Sequence, residues 1–240
     1  MNQANLNISP TAAAAATKCA NLILETLAEA LKHSATATLA ISGGSTPRLL
    51  FADLARASFP WQKVHIFWVD ERCVPPTDDK SNFKLANDSW FAPAAFPTAN
   101  LHRVFGELEP AEGAKKYVAD IKEFFHLPEG KLPVFDVLHR GMGPDAHTAS
   151  LFPGEPLIAN RTDIATNVWV EKFQMHRVTL LPGVLLAAKT TVLQVCGTDK
   201  VDAVKSVLEE AEDWMKYPCQ MASRDAKATW FLDQAAAAKL

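Results

Sequence analysis

No apolar run in this 240-residue chain is long enough to cross a bilayer. The first residues also lack the basic, apolar and small-residue regions of a secretory signal. Both absences predict a cytoplasmic protein. Basic residues hold no excess: 24 Lys and Arg face 27 Asp and Glu, for a net charge of -3. That balance argues against nucleic acid or an anionic membrane as the main partner, while leaving room for a local basic pocket that takes a small anion. The four cysteines (Cys19, Cys73, Cys196, Cys219) never fall in C-x-x-C spacing. They read as free thiols in a reducing compartment, not as disulfides or zinc ligands. The histidines share no metal-binding spacing, so neither a metal nor another cofactor is expected. Repeats, linkers and composition shifts are missing too. With 48% hydrophobic and 21% charged residues, the composition is that of a globular protein, and one domain over 1–240 is predicted.

What is present alternates. Ser9-Pro10 can open a helix in which Cys19, Ile23, Leu27 and Leu31 recur at helical spacing. Thr36–Ile41 reads as a strand, followed by a glycine-rich turn and a helix carrying Leu49, Leu50 and Leu54. Val64–Val69 is a second strand, and a helix passes through Leu85 and Trp90. Leu101–Val104 makes another short strand, and Pro110 opens the helix of Tyr117 and Ile121. Val134–Leu138, Asn167–Val170, Val178–Leu181, Thr190–Val195 and Thr229–Leu232 complete the strands. Short helices start near Val184 and Val201. This alternation predicts a three-layer α/β/α, Rossmann-like fold on a largely parallel sheet. In such sheets ligands bind beyond the carboxyl ends of the strands.

Four polar clusters directly follow predicted strands. Ser42-Gly43-Gly44-Ser45-Thr46-Pro47 offers exposed amides, hydroxyls and the positive end of a helix, which suits an oxyanion. It lacks the G-K-[ST] ending of a nucleotide-binding loop. The other reading is a tight turn with a hydroxyl cap. Asp70-Glu71-Arg72 closes the second strand, either as a binding group or as a simple ion pair. Gly141 to Ser150 brings Asp145 and His147 close enough to share a proton, or else forms a turn that Asp145 merely caps. Gly197-Thr198-Asp199-Lys200 places a lysine at a strand-to-helix corner. If the strands are parallel, the four loops emerge on one edge. Arg72, Arg177 and Lys200 could then supply the cations a phosphate requires. Trp68 and Trp90 read as core.

Taken together, Ser42–Pro47, Asp70–Arg72 with Ser81-Asn82, and Gly141–Ser150 resemble the signature blocks of the 6-phosphogluconolactonase family, in order and spacing. The resemblance implies a fold shared with glucosamine-6-phosphate deaminase and hydrolysis of 6-phospho-D-glucono-1,5-lactone, the second step of the oxidative pentose phosphate pathway. It implies His147 as general base, with Asp145 orienting it. Ser42, Gly43, Gly44, Ser45, Thr46, Asp70, Arg72, Arg177 and Lys200 would form the substrate and phosphate site. The partner implied is a sugar phosphate lactone, with the protein a monomer or weak homodimer. Ala146 stands where the family usually has glycine, and Arg140 where an apolar residue is usual. A deaminase would have a catalytic Glu where this chain has Phe152 and usually a Tyr in place of Arg72. A sugar-phosphate sensor would need no His147.

Overall fold

The computed structural model describes residues 5–240. Its strands are β1 (Asn5–Ser9), β2 (Ala37–Ile41), β3 (Val64–Trp68), β4 (Asp70–Arg72), β5 (Leu101–His102), β6 (Val137–Arg140), β7 (Ala165–Val170), β8 (Met175–Leu180), β9 (Thr190–Val195) and β10 (Ala228–Asp233). The helices are α1 (Ala12–His33), α2 (Pro47–Arg56), α3 (Asn82–Ala86), α4 (Pro110–Phe124), α5 (Pro182–Ala187) and α6 (Val201–Glu209).

Seven strands form one sheet in the order β1-β10-β9-β6-β2-β3-β5, and every neighbouring pair in it is parallel. Burial dictates that arrangement. All five residues of β2 are buried, which a strand covered on both faces requires. α1 lays Ala15, Ala16, Cys19, Ala20, Ile23 and Leu27 on the core, and Thr11 caps it by accepting the Ala14 amide at 3.2 Å. Tyr117 of α4 stitches its helix to β3: its hydroxyl donates to the Trp68 carbonyl at 2.6 Å and accepts the Trp68 amide at 2.8 Å. Trp68 and Trp90 are core, as their sequence context implies. All four cysteines are free thiols. No helix among the described residues is long and apolar enough to cross a membrane.

Several sequence-based expectations need correction. The helix predicted from Ser9-Pro10 begins two residues later; Ser9 instead ends β1, whose half-exposed Asn-Leu-Asn-Ile-Ser pattern pairs with β10. The strand predicted at Val134–Leu138 starts at Val137 and runs on to Arg140. Val134 is exposed, while the Asp136 carboxylate accepts from the Thr38 amide and hydroxyl, both at 2.9 Å, and so sets where pairing with β2 begins. The helix predicted through Trp90 stops at Ala86 and continues as a π-helical turn over Asn87–Phe91. The strands predicted at Asn167–Val170 and Val178–Leu181 do not join the parallel sheet. β7 and β8 pair antiparallel, and β8 pairs antiparallel with β4. Asp70–Arg72, predicted as a loop, is therefore the edge strand of a second, three-stranded sheet.

β6 also carries His139 into the core, fully buried. Burial holds its imidazole down at about 4, whereas an unfolded histidine takes up its proton near pH ~6.5. Between those values the unfolded chain binds more protons, so stability must fall as pH falls. His139→Gln is expected to remove up to ~1.4 kcal/mol of that loss per pH unit, read from urea midpoints between pH 6.5 and 4. A pH slope identical in both proteins would show that His139 is not the acid-sensitive group.

Candidate active site

The carboxyl ends of β2, β3, β6 and β9 converge on one cleft of about 330 Å³. Ser42, Gly43, Gly44, Ser45, Thr46, Asp70, Arg72, His147, Arg177 and Lys200 all line it, together with Gly141–Pro144, Thr148, Ala149 and Phe173. Asp145 does not line the cleft; it sits behind His147.

The loop after β2 leads directly into α2. Pro47 occupies the first turn, and Thr46 at the cap position makes no side-chain capping bond. The first amides of this ten-residue helix are thus left without a capping side chain on the cleft side. Ser42 Oγ is buried and has no hydrogen-bond partner among the described residues. Gly44 adopts φ +105°, open to glycine and hardly to other residues. Gly43 is required for a different reason: a Cβ there would lie 1.9 Å from Asn82 Oδ1.

Asn82 is placed by β4. The Glu71 carboxylate is buried and accepts the amides of Arg72, Asn82 and Phe83, each at 2.7 Å. Burial still pushes it up to about 6 against those bonds. Asn82 Nδ2 then donates to the Asp70 carbonyl at 2.8 Å. The Asp70 carboxylate is committed within the protein: Ser150 Oγ donates to it at 2.7 Å, and Arg177 Nη1 lies 3.7 Å away. Arg72 uses one guanidinium nitrogen on the Lys80 carbonyl at 2.6 Å. Lys200 Nζ pairs with Asp199 at 3.0 Å; the lysine side chain is mostly buried and that of Asp199 mostly exposed.

In the Gly141–Ser150 loop, His147 Nδ1 meets Asp145 Oδ1 at 2.5 Å. Asp145 Oδ1 also accepts the His147 amide at 3.3 Å, so it closes the turn as well as bonding the imidazole, and no helix follows for it to cap. Partial burial pushes the Asp145 carboxyl up, but the bonds from His147 and from Lys172, at 3.0 Å, outweigh it and hold it well below the usual carboxylate range. Phe152 stacks on the imidazole with ring centres 4.0 Å apart and planes 25° apart, fixing its orientation. The Arg177 guanidinium in turn lies 4.7 Å over Phe173 and 5.8 Å over Phe152. His176 does not line the cleft; its ring packs edge-on against Trp169.

Lys172 and Phe173 carry no signal in the sequence. They belong to the β7–β8 turn, where Gln174 takes φ +47°, and no motif marks them. Among the described residues, no three His, Cys, Asp or Glu side chains gather as a metal site would need.

Residues 10–230 match the family model described as glucosamine-6-phosphate isomerases/6-phosphogluconolactonase. The chain belongs to that family. Within it, a 6-phosphogluconolactonase from a Nostoc species is 35% identical over 236 residues, covering 98% of each chain. The crystal structure of the devB protein superposes with a TM-score of 0.88 at 33% identity, covering 98% of this chain and 99% of that one. A 6-phosphogluconolactonase from Thermotoga maritima gives a TM-score of 0.83 at 25% identity, covering 96% and 100%. The parallel sheet flanked by helices is the fold of these structures.

Gly43→Ala is expected to destabilise the protein by about 1–3 kcal/mol, the usual cost of forcing a methyl into packed space. Chemical denaturation reads it directly. A midpoint equal to wild type would mean that Asn82 swings aside without consequence.

Proposed function

We propose that the protein hydrolyses 6-phospho-D-glucono-1,5-lactone to 6-phospho-D-gluconate, the second step of the oxidative pentose phosphate pathway. His147 activates the attacking water. The observation that carries this reading is the His147–Asp145 contact of 2.5 Å in a cleft that also holds the open α2 terminus and three cationic side chains. The family membership and the similar proteins named 6-phosphogluconolactonase support it.

With Nδ1 given to the Asp145 carboxylate, His147 Nε2 is left with a lone pair and no partner among the described residues. It takes a proton from water as the water oxygen bonds to the lactone carbonyl carbon. Collapse of the tetrahedral intermediate breaks the ring C–O bond. The imidazolium returns the proton to the departing ring oxygen, and the new carboxylic acid ionises. Asp145, held anionic, stabilises the charged imidazolium, and Phe152 keeps the ring in place. A lactone is already an activated ester, so a positioned base and oriented substrate suffice without a covalent intermediate.

The phosphate is assigned to the amides of Gly43–Thr46, with Ser42 Oγ, Arg72 and Lys200 beside them. Asp70 serves indirectly, by holding Arg177 and Ser150. A deaminase needs a further acid next to the histidine; here Phe152 fills that place with an aromatic ring. Incubation with glucosamine 6-phosphate is expected to release no ammonia.

His147→Ala is expected to lower kcat by ~10²–10⁴ while 6-phosphogluconate still binds. A continuous assay on freshly generated lactone, corrected for spontaneous opening, measures it; undiminished turnover would remove the base. Lys200→Ala is expected to raise KM, with kcat changed less. Arg177→Ala should also weaken binding, but it strips the buried Asp70 of its counterion, so Lys200 is the cleaner test.

A further inference from the structure

Arg140, the last residue of β6, and Ala146, inside the Gly141–Ser150 loop, meet in one structural unit. Ala146 sits between Asp145 and His147 with φ +63°, a left-handed conformation that alanine holds only where its surroundings enforce it. Two bonds inside the loop close the turn: Ala146 N donates to the Gly143 carbonyl at 3.0 Å, and Gly143 N to the His147 carbonyl at 2.9 Å. The third comes from outside. Cys219 N donates to the Ala146 carbonyl at 2.9 Å, from the 3-10 turn over Pro218–Gln220.

That turn is held by Arg140. The side chain is fully buried, and its guanidinium donates to the Met221 carbonyl on one side. On the other it reaches Thr148 Oγ1 at 3.5 Å, and Thr148 Oγ1 itself donates to the Gly141 carbonyl at 3.1 Å. Both groups it touches are neutral. Ala222, next to Met221, is also left-handed at φ +48°, as is Ala149 at +52°. A buried cation that hydrogen-bonds only neutral oxygens, with Asp225 near it but in no ion pair among the described residues, is costly, so an apolar residue would fill this space more cheaply. What an apolar residue lacks is a planar fork of donors that can span two segments at once.

We propose that Arg140 is a positioning residue for His147. By clamping Met221 against Thr148 it fixes the 218–222 turn, whose Cys219 amide locks Ala146 in its left-handed form. Asp145 and His147 leave the chain on either side of Ala146, so that lock sets the direction of both. A glycine at 146 would hold the same φ unaided. The need for Arg140 is therefore tied to the alanine, and the two residues should be energetically coupled.

The proposal rests on the lactonase reading for its kinetic test, and a double-mutant cycle supplies it. Arg140→Leu is expected to lower kcat about 10–100-fold, the scale of a misplaced catalytic group, with KM for the lactone within about twofold of wild type. Adding Ala146→Gly to Arg140→Leu should restore most of the lost kcat, and Ala146→Gly alone closes the cycle. Equal impairment of the single Arg140→Leu and double variants would overturn the proposal, as would a raised KM with intact kcat. If Arg140→Leu alone does not fold, a folded double variant with near wild-type kcat supports the coupling, and a double variant that is unfolded or slow overturns it. Amide hydrogen exchange over residues 141–150 provides a readout without activity: exchange should quicken in Arg140→Leu and slow again in the double variant. A wild-type protein with no lactonase activity would overturn the function, while the exchange result would still decide the role of Arg140.

Discussion

One buried carboxylate joins the parts of this cleft. Asp70 is only 6% exposed, yet it follows the end of β3, receives Ser150 from the Gly141 loop and faces Arg177 from β8. Three segments far apart in sequence thus share one charge. Removing such a partner from a buried pair leaves an uncompensated ion, which is far more costly than never having the pair. The junction ties the parallel sheet to the antiparallel one. Glu71, next along, extends it by gathering the amides that begin α3 and seating Asn82 against Gly43.

On this scaffold the two proposed roles, anion binding and proton transfer, make opposite demands. Anion binding as proposed needs available donors: uncapped amides at α2, a Ser42 hydroxyl with no partner among the described residues, and Lys200, held only by the exposed Asp199. Proton transfer as proposed needs the reverse, a histidine held in one orientation. Asp145 fixes one ring nitrogen and Phe152 the ring plane. Lys172 and Phe173 bring the β7–β8 turn against both groups of residues, so the antiparallel sheet acts as the wall that the parallel sheet lacks.

Most of the cleft is legible in the sequence because it is built at strand-to-helix corners. Glycine-rich or polar stretches directly after apolar, β-branched runs such as Val64–Val69 and Thr190–Val195 can only emerge at one edge of a parallel sheet. What is not legible comes from pairing at a distance. Asp70–Arg72 reads as a loop because it is all charge; it is a strand because Arg177, Ser150, Asn82 and Phe83 satisfy that charge from other segments. β1 hides for the opposite reason, since a half-exposed edge strand of Asn, Leu and Ile carries too little hydrophobic signal to be told from a helix lead-in. Arg140 is visible as an anomaly, but its partner Met221 lies 81 positions away, and no local pattern announces that contact.

The position of β10 has a consequence for how the molecule is made. It lies between β1 and β9, in parallel register with both. Among the described strands β1 comes first in sequence and β10 last, and their pairing sets Asn5 opposite Thr229. This edge of the sheet is therefore closed across a large sequence separation, the kind of closure that slows folding and leaves a strand such as β1 open to wrong partners in the meantime.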